Sequence, residues 1–190
     1  MASPINSTYV RKTNRQRVLQ KIRSNKGISR QDLADQIGLT PPAISGIVRD
    51  WINKKVIIEE GRGESGGGRR PVCLGINGKA ALALGAEFSR NQVRISVTDM
   101  MGGIIEQQEW PMDMTDPEEG IQKFSKKVNS LLSELKLKNQ VILGLGVATS
   151  GLYDYHLEKI QRSVNLGKGW NHFNIVKSLE AKIDLPIRVE

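Results

Sequence analysis

The stretch 40–54, TPPAISGIVRDWINK, constrains this chain most. Ile44, Ile47, Val48, Trp51 and Ile52 recur at i, i+3, i+4, i+7 and i+8, the apolar face of an α-helix. Thr40 is expected to cap it through its hydroxyl, and its place before a proline disfavours helical torsions at Thr40 itself. Pro41 and Pro42 take first-turn positions, where amide donors have no intrahelical partner to lose. The opposite face carries Pro42, Ser45, Gly46, Arg49 and Asn53, small or hydrogen-bonding residues instead of the usual Lys/Glu mixture. A helix equipped in this way is built to press its N-terminal half against another surface, and a DNA groove is the expected one.

Charge placement supports this. Residues 1–79 hold fifteen Lys/Arg against six Asp/Glu, a net +9, while residues 80–190 hold thirteen against fourteen, a net −1. The basic excess lies wholly in the first segment, as expected if that segment meets a polyanion; a solubilising surface is the alternative. With Cys73 the only cysteine, an intrachain disulfide framework and a multi-cysteine zinc site are excluded. The N-terminus has no apolar run for a signal peptide, and the stretches 80–86 and 141–148 are too short to span a bilayer. The expectation is a soluble cytoplasmic protein without membrane partners.

Residues 5–25 read as an arm and then a helix, with Thr13 and Gln16 at capping-box spacing and Val18, Leu19 and Ile22 as a narrow apolar stripe. The surrounding Arg11, Lys12, Arg15, Arg17, Lys21 and Arg23 read mostly as solvated charges, with one or two phosphate contacts, favouring the arm, as the other possibility. Ser29 and Asp32 again have capping-box spacing, and Gly38 supplies a C-terminal stop. Gly38-Leu39-Thr40 then turns into the opening helix, with Leu39 placed to plug the angle. Helix, short Gly-containing turn, helix is the helix-turn-helix layout. Two short strands follow, 55–59 and 71–76, enclosing GRGESGGGRR: a wing whose Arg62, Arg69 and Arg70 suit an adjacent minor groove, or only loose phosphate contacts. No Gly-Lys-Ser/Thr ends this run, so it is not a Walker-type phosphate loop. The intended readers of DNA are therefore Ser45 and Arg49, beside Pro42 and Gly46, with Arg30 and Thr40 on phosphates. An interfacial membrane helix is disfavoured, since 40–54 has few lysines beside its apolar stripe.

Beyond residue 80 the chain is strand-rich. Strands at 81–88, 93–99 and 104–110 form an antiparallel meander. A helix capped by Asp116 with Pro117 in first position carries Ile121, Phe124, Val128, Leu131, Leu132 and Leu135 on one face. A buried-type strand 141–148, a looser stretch 153–160, a helix 172–183 and a strand 187–190 complete it. This order predicts half of a ribonuclease-H-like or actin-like α/β lobe.

The segments ISRQDLADQIGLTPPAISGIVRDWINKKVI, GGGRRP, GLGVATSGLYD and NLGKGW occur in one order along nearly the whole chain, and they resemble the ROK family of sugar-responsive repressors and sugar kinases. The resemblance implies an α+β protein with a winged helix-turn-helix at 1–77 followed at 78–190 by the N-terminal half of an actin-like sugar-sensing ROK domain. It also implies an operator duplex, a sugar effector (xylose or another monosaccharide) and a homo-oligomer. In the matching loops Gly151, Asn165 and Trp170 border the sugar site, with Trp170 either stacking on a sugar or serving as a core or lid aromatic. The family's kinases place an Asp-x-Gly-Gly-Thr loop after the first strand, whereas this chain has Glu87-Phe88-Ser89-Arg90-Asn91, which disfavours ATP. The chain also stops before the family's Asn-Asp motif and His/Cys zinc cluster. A repressor without enzymatic activity, cofactor or metal, and with an incomplete sugar site, is therefore expected over the alternative of a ROK-type carbohydrate kinase or sugar-binding protein. His156 and His172 are read as structural.

Overall fold

The structure, a computed structural model, describes residues 7–62 and 70–190, the side chains of Arg62, Lys136 and Leu137 excepted. The chain divides into two compact units, Met1–Ala80 and Ala81–Glu190. Together they make a mixed α+β protein.

The first unit runs α1 (Ser7–Ser24), β1 (Ile28–Ser29), α2 (Arg30–Ile37), α3 (Pro41–Asn53), β2 (Ile57–Arg62) and β3 (Val72–Ile76). β3 pairs antiparallel with both β1 and β2, giving the order β1-β3-β2. Val18, Ile22, Leu33, Ile37, Ile44, Val48, Ile57 and Leu74 form its core. The helix starts and stops are local chemistry. The Ser29 hydroxyl accepts from the Asp32 amide (3.2 Å) while the Asp32 carboxylate accepts from the Ser29 amide (2.9 Å), a complete capping box. Gly38 closes α2 at φ 74°, its amide donating to the Ala34 carbonyl, and Leu39 packs on the core as the turn demands. Three local expectations need correction. α1 is one continuous helix, so Thr13 is an interior residue and not a cap; no Gly or Pro interrupts Ser7–Ser24. Thr40 is extended as its proline neighbour requires, but its hydroxyl makes no cap bond. Pro42 occupies N2 and has no N–H to give, so one of the two usual donors is missing. The two-residue β1, at the break between α1 and α2, was not foreseen.

The second unit contains β4 (Leu82–Ser89), β5 (Gln92–Asp99), β6 (Ile104–Pro111), α4 (Pro117–Leu137), β7 (Ile142–Thr149), β8 (Gly151–Asp154), β9 (Lys159–Ser163), α5 (Ile175–Glu180) and β10 (Ile187–Val189). The main sheet has the order β10-β7-β4-β5-β6; β4, β5 and β6 are antiparallel, while β7 is parallel to β4 and to β10. The expected meander, helix and returning strands are therefore present. Its core joins the inward residues of the sheet to Ile121, Phe124, Val128 and Leu132 of α4 and to Ile175 and Leu179 of α5. β7 is not buried on both faces. Only Leu145 and Val147 are buried, and Leu143 stands 51% exposed, because one face of the sheet lies open. The loose stretch is a hairpin, β8 with β9. The last helix is shorter than expected: Phe173 bridges to Ile160, and the Asn174 side chain caps α5 by accepting from the Lys177 amide.

Among the described residues, no helix is long and apolar enough to cross a membrane.

Candidate nucleic-acid interface

α3 buries Ile44 and Val48 and leaves Pro42, Ser45, Arg49 and Asn53 exposed, with Gly46 half-buried. The two faces foreseen from the period are thus the two faces present. On one flank of α3 lies a cleft of about 390 Å³ to which α2 contributes Arg30 and Gln31, α3 contributes Pro41 and Ser45, and the chain entering β3 contributes Arg70. Three of the proposed DNA-binding residues, Arg30, Ser45 and Arg70, therefore share one opening. Arg30 is partly committed there: its Nη2 lies 2.8 Å from Glu59 Oε1 of β2, an exposed pair that fixes the guanidinium more than it stabilises the fold. Thr40 and Pro42 are exposed at the start of α3. Arg69 and the Arg62 side chain lie outside the described residues. Gln31 was not singled out from sequence; its signal is its position two residues after the Ser29 cap, which sets it at the mouth of the cleft.

Behind α3, Asp50 accepts from Arg15 Nη1 at 2.8 Å, and the Arg15 guanidinium lies 4.6 Å from the Trp51 ring centroid. The hydrogen bond from Arg15 holds the Asp50 carboxyl below the usual carboxylate range. Asp50 thus stays ionised beside the otherwise cationic surface.

In the second unit the sequence 87–91 is the end of β4 followed by a tight turn at Arg90 and Asn91. Glu87 and Phe88 are strand residues, Ser89 pairs with Gln92, and Glu87 forms a 2.8 Å ion pair with Arg94, which also pairs with Glu109. A cavity of about 640 Å³ opens beside it, reached by Arg90, Thr149, Ser150 and Asn165. The hydroxyl oxygens of Thr149 and Ser150 are buried there without a hydrogen-bond partner. Gly151 begins β8 next to Ser150 with φ 151°, and a Cβ at that point would fall on the Arg162 carbonyl. Trp170 does not join them. It is fully buried, donates from Nε1 to the Met114 carbonyl at 2.6 Å, and packs against Phe88 and Phe173. No ring face is left for a sugar, which corrects the stacking role in favour of the core. His156 and His172 are both exposed, and among the described residues no group of three or more His, Cys, Asp or Glu is arranged around a common point for a metal.

Comparison with known proteins agrees with this architecture. The xylose repressor of Bacillus subtilis is 27% identical over 183 residues, 96% of this chain and 47% of that protein. The N-acetylglucosamine repressor of Escherichia coli O6:H1 is 22% identical over 177 residues, 93% of this chain and 43% of that protein. This chain therefore spans about half the length of the curated relatives it matches. The crystal structure of a ROK family transcriptional regulator, a homologue of the E. coli MLC protein, superposes with a TM-score of 0.76 at 17% identity, covering 95% of this chain and 46% of that one. The ROK family profile matches residues 83–190. With more than half its length matched by that profile, the chain belongs to the ROK family.

Proposed function

We propose that the first unit is a winged helix-turn-helix that binds operator DNA, and that the chain acts as a repressor of sugar-utilisation genes. The observation that carries this reading is the outward face of α3. Ser45 and Arg49 stand exposed on it without competing packing duties, and the cleft with Arg30 and Arg70 lies alongside. α3 enters the major groove, Arg49 reads a base edge, and Arg30, Thr40 and Arg70 hold phosphates, with Arg62 and Arg69 assigned to the wing. The relatives named as repressors of xylose and N-acetylglucosamine systems support the sugar context. A monosaccharide effector such as xylose fits the cavity beside Asn165, where the unpartnered hydroxyls of Thr149 and Ser150 suit a polyol. The actin-like second unit then belongs to the N-terminal half of a sugar-sensing domain, and its open sheet face supports a homo-oligomer. Kinase chemistry is not part of this reading, since the end of β4 and the turn at Arg90 and Asn91 offer no glycine-rich approach to phosphate.

Selection of duplexes from a random pool by the intact chain, repeated with and without xylose and other monosaccharides, tests it. Arg49→Ala is expected to flatten sequence preference by about 1–3 kcal/mol at one position. Equal affinity of the unmodified chain for selected and scrambled duplexes would sink the proposal.

A further inference from the structure

We infer that the groove between the first half of α1 and the outward face of α3 is a seat for a backbone phosphate of duplex DNA, with Arg11, Asn14 and Arg15 as its donors. The inference rests on the DNA-binding reading and adds to it a contact surface on the side of α3 away from the wing cleft.

α1 has more length than its packing needs. Its buried residues are Val18 and Ile22, both in its second half, and Tyr9 in its first half is 68% exposed. Residues 7–12 are thus about 9 Å of helix that is exposed throughout, and residues 13–15 are only half-buried. That segment is cationic, and its spacing is informative. Arg11 and Arg15 stand at i and i+4, with Asn14 at i+3, so the three share one face. In the structure this face meets Gly46, Arg49 and Asp50 of α3 across a groove of about 400 Å³. Arg11, Arg15 and Arg49 thus line the groove together with one carboxylate, that of Asp50. Asn14 adds an amide donor, so the groove can receive an anion.

The groove is also prepared for its ligand. Asp50 takes one edge of Arg15 at 2.8 Å and the Trp51 ring takes one face at 4.6 Å, leaving the side chain 26% exposed. A guanidinium held this way loses less rotamer freedom when a phosphate arrives, which makes Asp50 a positioning residue. Gly46 lies on the α3 wall of the groove, and a Cβ built there would meet nothing within 4 Å. The missing side chain is not required by packing in the free protein. It leaves room for a sugar-phosphate strand to pass between the reading face of α3 and α1.

The test uses the full chain and a duplex selected by it from a random pool, beside a scrambled duplex. Affinity is measured against salt concentration for the unmodified chain, Arg11→Ala, Asp50→Asn and Gly46→Ala, with circular dichroism to establish that each is folded. Arg11→Ala should weaken both duplexes by the same factor and reduce the steepness of log K against log salt by about 0.9. Gly46→Ala should weaken both while leaving the helix intact. Replacing the flanking phosphates one at a time by neutral methylphosphonate should identify a position that weakens the unmodified chain but not Arg11→Ala. Asp50→Asn should retain that position with reduced affinity. An unchanged salt slope in Arg11→Ala, or additivity with every methylphosphonate, overturns the phosphate seat while leaving operator recognition standing. Binding without sequence preference, with the slope still reduced by Arg11→Ala, supports the seat and refutes the repressor reading. Absence of duplex binding overturns both.

Discussion

Asp32 shows how much one side chain can decide. It accepts from the amide and the hydroxyl of Ser29, at 2.9 and 2.7 Å, and these bonds lower its carboxyl below the usual range. Ser29→Ala should remove the cap and destabilise the first unit by about 1 kcal/mol, read as a lower urea midpoint. The sign with pH follows from the direction of the shift. Because the folded value is below the unfolded one, near 3.9, the stabilisation is complete above that pH and drains away as pH falls through the folded value. The gap in stability between the unmodified chain and Asp32→Ala should therefore close on acidification; a gap that widens in acid would contradict the assignment. This pair was legible in the sequence because a capping box is a four-residue device. Trp170 was not: its burial depends on the Met114 carbonyl and on Phe88, residues distant in sequence that only the folded sheet and its covering helices bring near.

Elements were readable where their signals were local. α2, the turn at Gly38 and α3 carry period, caps and breakers within about 25 residues, and all three form. Gly38 holds φ 74°, and α3 starts three residues later at Pro41. Gly38→Ala should cost roughly 1–2 kcal/mol through left-handed strain, measured by thermal unfolding. It should weaken DNA binding further if the turn sets the angle of α3. What sequence missed was set by partners. β1 is two residues long and exists because β3 lies beside it. β7 reads as continuously apolar, yet its burial alternates, since which face of a sheet is covered is a property of the assembly of elements and not of the strand. Likewise α5 is cut back at Asn174 by the bridge between Phe173 and Ile160.

At the scale of the molecule, the two cores share no residue, and the chain divides at Ala80. A fragment ending at Ala80 is expected to keep helical circular dichroism and a cooperative melt. With +9 of formal charge through residue 79, it should bind a heparin column more tightly than a fragment beginning at Ala81, which is nearly neutral. Loss of cooperative unfolding in the shorter fragment would show that its core depends on the second unit. The split in charge was visible in the composition, and the separation of cores was expected from the change to strand-rich sequence, whereas the reach of α1 past its own core was not. That overhang has an evolutionary consequence. Substitutions among residues 7–12 leave folding nearly untouched, because all of them are exposed. Selection is then free to vary the occupancy of an operator gradually, through the number of cations on a projecting helix, while the residues that choose the operator stay as they are.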